Sequence, residues 1–303
     1  MKILITGGTG LIGRALCREL LARGCDITVL SRRPAAVAQR CGATVSALAS
    51  LDDWRPGDPG RHFDAVINLA GAPIADRRWS ARRKQILWDS RVTLTEKLAE
   101  KIAAAEAPPR VLLSGSAVGF YGDCGDRELD EFAAAGSDFG ARMCDAWESA
   151  ARAAAAAVES PMRVCCLRTG IVLSRDGGML ARMLPAFRLG LGAQLGDGSQ
   201  WLSWIHIDDH IGMLCALLFD DAARGAFNLC APAPVRNADF TAQLASALRR
   251  RAALRAPAFA INAALGEAAC LLLGGQRVTP SRMLAAGYQF RHPTLADALT
   301  VLL

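Results

Sequence analysis

Lys2-Ile-Leu-Ile-Thr6-Gly7-Gly8-Thr9-Gly10-Leu11-Ile12-Gly13 decides the fold. A short apolar strand runs straight into a glycine-rich turn. Apolar residues then recur at 11, 12, 15, 16, 20 and 21, the period of a helix. Asp26 to Leu30 reads as a second strand. Strand, glycine turn, helix and strand within about thirty residues make a dinucleotide-binding unit. One glycine permits the tight turn, one lets backbone approach a pyrophosphate, and one lets helix and strand pack closely. The helix N-terminus offers free N–H groups and a partial positive charge to phosphates. Gly7, Thr9, Gly10, Leu11, Ile12 and Gly13 are the expected cofactor contacts of this turn.

The rest of the composition is consistent with that reading. The chain has 303 residues and is 52% hydrophobic, enough for one large domain or two modest ones. No apolar run is long enough to predict a transmembrane helix, and no signal-peptide h-region is evident. The ten cysteines show no CxxC spacing and read as reduced, mostly buried thiols of a cytoplasmic protein. The net charge of +6 comes from scattered arginines, since lysine occurs only at 2, 84, 97 and 101. The densest cluster, Arg77, Arg78, Arg82, Arg83 and Lys84, reads as a solvated face or an anion site rather than a nucleic-acid face. The expected partner is a small molecule, anionic in one reading, with neither nucleic acid nor membrane. Oligomeric state is not read from the sequence.

The glycine spacing, GxxGxxG, resembles the short-chain dehydrogenase/reductase superfamily in its extended, epimerase-like branch. An acidic residue after the second strand would favour NAD. The chain instead has Ser31-Arg32-Arg33, suited to hold a 2′-phosphate, so NADP(H) is the expected cofactor. The resemblance further implies that Leu69, Ala70 and Gly71, ending "FDAVINLAG", line the adenine and ribose side. It places Ser90 and Arg91 near the start of a helix beside the pyrophosphate, where Arg91 either reaches the phosphates or stays solvated or ion-paired. It also places Gly170, after "RVCCLRT", and Ser114 at the cofactor. "INLAG", "RRW", "SGSAVGFYG", "MLPAFRLGLG", "SWIHIDD" and the tail "GGQRVTPSRMLAAGYQFRHPTLADAL" together resemble one family across essentially the whole chain. Its members are labelled nucleoside-sugar epimerase, NADP-binding oxidoreductase or cell-division inhibitor.

Superfamily catalysis uses a serine or threonine, a tyrosine and, four residues later, a lysine that depresses the tyrosine pKa. This chain has two tyrosines, and the residues four positions on are Gly125 and His292. The usual slots on the helix near 138 fall at about Gly140 and Cys144. Ser116 matches the catalytic serine slot, its other reading being a hydroxyl that satisfies the turn backbone. Tyr121 reads as structural. Substrate, water, Cys144, Asp145 or His206 are the candidate replacements for the missing acid. His206, His210, Asp208 and Asp209 are not expected to hold a metal, and Asp208 is expected to cap the following helix.

The expected fold is α/β, a Rossmann-type doubly wound parallel sheet with a small C-terminal substrate lobe. Residues 1–170, completed by about 201–232, form the dinucleotide domain; 171–303 mainly form the lobe and the family-specific tail. Arg182, Arg188 and Arg236 are the lobe's candidate anion contacts. The leading function is an NADP(H)-dependent oxidoreductase. The alternatives are a sugar-nucleotide epimerase or dehydratase and a non-catalytic NADPH-binding regulator.

Overall fold

The structure is a computed structural model that describes residues 1–54, 62–158 and 162–303. Seven parallel strands form the central sheet, in the order Gly225–Leu229, Arg163–Thr169, Val111–Ala117, Ala65–Asn68, Lys2–Thr6, Asp26–Leu30 and Ser46–Leu48. Their apolar runs follow from burial on both faces, as in a parallel sheet covered by crossover helices. On one face, helices Leu11–Ala22 and Ile207–Phe219 bury Leu16, Leu20, Leu214 and Leu218 against Ile3, Ile5 and Val29. On the other, helices Leu94–Ala103 and Phe139–Ala156 bury Leu98, Ile102, Ala151 and Ala154 against Leu4, Val66 and Leu112. From Lys2–Thr6 the chain winds outward to one sheet edge, then returns to Ala65–Asn68 on the other side. That reversal opens a crevice at the carboxyl ends of these two strands.

A smaller core covers the far end: Leu180, Leu184 and Phe187 meet Trp204, Phe240, Leu244 and Leu299. The tail does not stay in this lobe. Arg277–Val278 pairs with Glu128–Leu129, and Tyr288 and Phe290 pack back on the first helical face. Asp209 secures this return. Its carboxylate, fully buried, accepts the Arg291 and His292 backbone N–H groups at 2.7 and 2.9 Å. The Tyr288 hydroxyl donates to the Asp209 carbonyl at 3.1 Å, and a Cβ at Gly212 would stand 2.3 Å from that hydroxyl. Asp208, the expected cap, is not the cap. His206 Nδ1 accepts the Asp208 N–H at 3.1 Å, because the ring at N-cap reaches the second helical N–H.

Asp209→Ala should lose two charge-assisted bonds and leave two buried N–H donors unmet. The expected cost is about 3 kcal/mol in urea unfolding, with earlier proteolysis of the 277–303 tail. An unchanged unfolding midpoint would show that the tail is held by its apolar contacts alone.

Candidate cofactor crevice and active site

Gly7 has φ +71° and passes so close to the neighbouring strand end that a Cβ there would sit 2.5 Å from the Leu69 carbonyl oxygen. A Cβ on Gly13 would meet Gly7 O at 2.4 Å, so helix and turn pack with no room for a side chain. Gly10 occupies the N-cap without a side-chain cap, which leaves the N–H groups of the first helical turn free for an anion. A buried polar ladder holds this arrangement. Thr6 Oγ1 donates to Asn68 Oδ1 at 2.6 Å, and Asn68 Nδ2 donates to Thr95 Oγ1 at 2.8 Å and to Ser114 Oγ at 3.4 Å. Thr6 Oγ1 also accepts the Ala70 N–H. Ser114 is fully buried in that ladder, so its hydroxyl positions Asn68. Gly170 is confined by Ser203, whose carbonyl oxygen would lie 2.4 Å from an added Cβ.

Arg32 and Arg33 stand exposed past the second strand, and neither guanidinium is engaged among the described residues. Ser31 Oγ accepts the Arg33 N–H at 3.1 Å, leaving its own proton available. Across the crevice, the helical run from Ala81 widens into a π turn at Asp89–Thr93, a feature frequent at functional sites. It aims Ser90 and Arg91 at the loop after Ala65–Asn68. Ser90 Oγ accepts the Ala72 N–H, Arg91 donates to the Ala72 carbonyl at 2.9 Å, and the guanidinium carbon would lie 3.0 Å from a Cβ on Gly71. Arg91 is half-buried and has no ion-pair partner among the described residues; burial pushes its pKa down. A partly desolvated cation without a counter-charge fits a phosphate.

The serine turn is organised by a buried ion pair that the sequence reading missed. Arg168 grips Glu148 through Nε–Oε1 at 2.8 Å and Nη2–Oε2 at 2.9 Å. Ser116 Oγ donates to the same Oε1 at 2.8 Å, so its partner is a side chain, not the turn backbone. Arg168 Nη1 also donates to the Tyr121 hydroxyl at 3.0 Å and the Glu131 carbonyl at 3.1 Å, and its guanidinium lies 3.5 Å over the Phe120 ring. Tyr121 donates to Asn228 Oδ1 at 2.6 Å. Burial pushes the Tyr121 phenol up to about 12, so it stays neutral at physiological pH. Two signals were available: an arginine inside the apolar strand "RVCCLRT", and a glutamate on the apolar face of helix Phe139–Ala156.

The other acid candidates separate by burial. Cys144 lies fully buried beside Ser116, and its thiol is pushed up to about 12, which excludes a resting thiolate. Asp145 is exposed and lies 3.9 Å from Arg152. His206 stacks on His292 with ring centroids 4.0 Å apart; these two and Asp208 bring their ligand atoms within 4.8 Å. Two of the three lobe arginines are committed elsewhere: Arg182 to Asp76 at 2.6 Å and Arg236 to Asp126 at 2.7 Å. The cluster at 77–84 likewise stitches segments, with Arg78 on the Ala263 carbonyl and Lys84 on Glu267.

Tyr121→Phe should remove one acceptor of Arg168 and one donor to Asn228 while sparing the Glu148 pair. Stability should fall by about 1–3 kcal/mol in urea unfolding, with nucleotide affinity unchanged. A loss of turnover without a loss of stability would place the phenol in the chemistry.

The profile of the NAD dependent epimerase/dehydratase family matches residues 3–230, and that of a domain of unknown function, DUF1731, matches residues 256–302. Epimerase family protein Mb2239 of Mycobacterium bovis is 44% identical over 304 residues, covering 98% of this chain and 96% of its own. The chloroplastic SDR39U1 homolog of Arabidopsis thaliana is 38% identical over 308 residues, covering 100% of this chain and 87% of its own. The crystal structure of human epimerase family protein SDR39U1 (isoform 2) with NADPH aligns at a TM-score of 0.89 and 36% identity, covering 100% of this chain and 99% of that one. The chain therefore belongs to the NAD-dependent epimerase/dehydratase family, among the SDR39U1-type epimerase family proteins.

Proposed function

We propose that the protein is an NADP(H)-dependent oxidoreductase acting on a small substrate, which is anionic in one form of this reading. The observation that carries it is a crevice with cationic side chains unmatched at both ends: Arg32 and Arg33 past the second strand, and half-buried Arg91 beside Gly71. Between them lie the uncapped helix N-terminus at Gly10 and the glycine that leaves no space above Leu69. Those residues fit a dinucleotide carrying a 2′-phosphate, and the human relative was crystallised with NADPH. Bound there, the nicotinamide supplies a hydride donor or acceptor.

The chain's own contribution follows from the serine turn. Ser116 donates its hydroxyl hydrogen bond to Glu148, so its oxygen lone pairs are left to accept a hydrogen bond from a substrate hydroxyl. Arg168 holds Glu148 in place through two bonds and keeps the carboxylate from swinging toward the crevice. With Tyr121 buried and no lysine at the superfamily spacing, the proton comes from substrate, water, Cys144, Asp145 or His206. Committed hydroxyls also favour a second reading, a regulator that binds NADPH without turnover. All ten cysteines are free thiols, which supports a reducing compartment such as the cytoplasm. Among the described residues, no helix is long and apolar enough to cross a membrane.

NADPH consumption measured against a panel of carbonyl compounds, beside calorimetric NADPH binding, separates enzyme from regulator. Tight binding with no turnover on any compound would favour the regulator. Arg32→Ala should weaken NADPH by roughly tenfold or more and leave NADH nearly unchanged, because only NADPH carries the 2′-phosphate. Arg91→Ala should weaken both nucleotides by similar factors, since both carry the pyrophosphate. A loss confined to NADPH would move Arg91 to the 2′-phosphate instead.

A further inference from the structure

The outer face of helix Leu11–Ala22 borders a cavity of about 350 Å³. Of the cofactor-facing segments only the glycine turn touches it, through Leu11; those at 31–33, 69–71 and 114–116 do not line it. Its other walls are the turn at 174–176, the start of helix Ile207–Phe219 and the end of the chain at 301–302. That volume falls in the range of small-ligand pockets, roughly 300–1,000 Å³.

Four arginines line the cavity, Arg14, Arg18, Arg40 and Arg175, and none is ion-paired among the described residues. Two aspartates, Asp176 and Asp208, oppose them, which leaves two positive charges uncompensated (four minus two). His206 also lines the cavity and is only 2% exposed. Its Nδ1 accepts the Asp208 N–H, which puts the proton of the neutral ring on Nε2. Nε2 is buried and has no partner among the described residues. A donor without an acceptor, among arginines that lack a carboxylate partner (Arg175 donates to the Val301 carbonyl and Arg14 to the Gly10 carbonyl), matches an anion. The same tautomer disfavours a metal on His206, Asp208 and His292, because Nδ1 is spent on the helix cap and Nε2 carries hydrogen.

We propose that this cavity binds a small organic phosphate, outside the cofactor crevice. A phosphate monoester carries about 1.5 to 2 negative charges at neutral pH, close to the uncompensated positive charge here, and its three oxygens can serve several guanidinium forks. A carboxylate brings one charge and two oxygens. The carbon portion of the ligand lies against Leu11, Ala15, Ile207 and Leu302. Because His206 stacks on His292 and Leu302 ends the C-terminal helix, the occupant joins the dinucleotide domain to the tail.

The test is calorimetric titration with phenyl phosphate, without nucleotide and again with NADPH at saturation. Binding should persist in both and raise the thermal midpoint. Arg40→Ala and Arg175→Ala, both at exposed positions, should each weaken it by roughly tenfold or more while leaving NADPH affinity unchanged. His206→Asn keeps an acceptor for the helix cap but removes the Nε2 donor, and should weaken it too. Phenylacetate should bind far more weakly. The proposal fails if phenyl phosphate gives no signal at roughly 10 mM, or if NADPH abolishes its binding. It also fails if the arginine variants bind as wild type or lose NADPH in parallel, or if phenylacetate binds equally well.

Discussion

The pair between Arg168 and Glu148 is the constraint on which the serine-turn end of the crevice depends. Both charges are removed from water, at 5% and 0% exposure. Burying an ion costs several kcal/mol, and losing one partner of such a pair costs about 3–5 kcal/mol. The bidentate geometry answers most of that cost, and the remaining bonds spread outward. Through Arg168, Ser116 and Glu131 the pair reaches the serine strand, the helix that crosses it, the Phe120-Tyr121 turn and the last sheet strand at Asn228. Everything near Ser116 is therefore fixed by one guanidinium and one carboxylate, and the serine hydroxyl is spent on holding its own position.

The nucleotide-facing end is built by the opposite means. There the chain removes side chains, so that Gly7 and Gly13 let backbone touch backbone, and neutral hydroxyls and an amide bind the strand ends together. Among the described residues charge enters there as arginines without acids, Arg32 and Arg33 at the rim and Arg91 half-buried. One end of the crevice is thus short of negative charge, while the other has satisfied its charges internally. At that end Arg168, Glu148, Ser116, Tyr121 and Asn228 bond to one another.

The C-terminal segment shares apolar cores with the body, through Met283, Tyr288 and Leu299, and is fastened to it by polar contacts as well. Asp209 caps two backbone N–H groups of the tail, Arg182 pairs with Asp76, Arg236 with Asp126 and Lys84 with Glu267. The last three of these involve partly or wholly exposed side chains, which contribute little individually. Asp209 is the exception, since its carboxylate is sealed from water. The motif "SWIHIDD" thereby has two jobs three residues apart: His206 caps a helix, and Asp209 holds the tail against it.

The sequence by itself determined the sheet, the glycine turn and the absence of a correctly spaced lysine, because these are written in near neighbours. A short apolar run, a helical period, a run of glycines and a four-residue spacing are local properties, and local backbone geometry answers to them directly. Tertiary structure alone decided that Ser116 belongs to Glu148, 32 residues away, and Tyr121 to Asn228, 107 residues away. It also decided that His206 rather than Asp208 caps its helix, and that Arg182 and Arg236 are taken by aspartates of distant segments. Each of those choices is made when elements far apart in the chain are packed face to face. A buried charge then bonds to whichever partner the packing brings within about 3 Å, and sequence spacing carries no record of that distance.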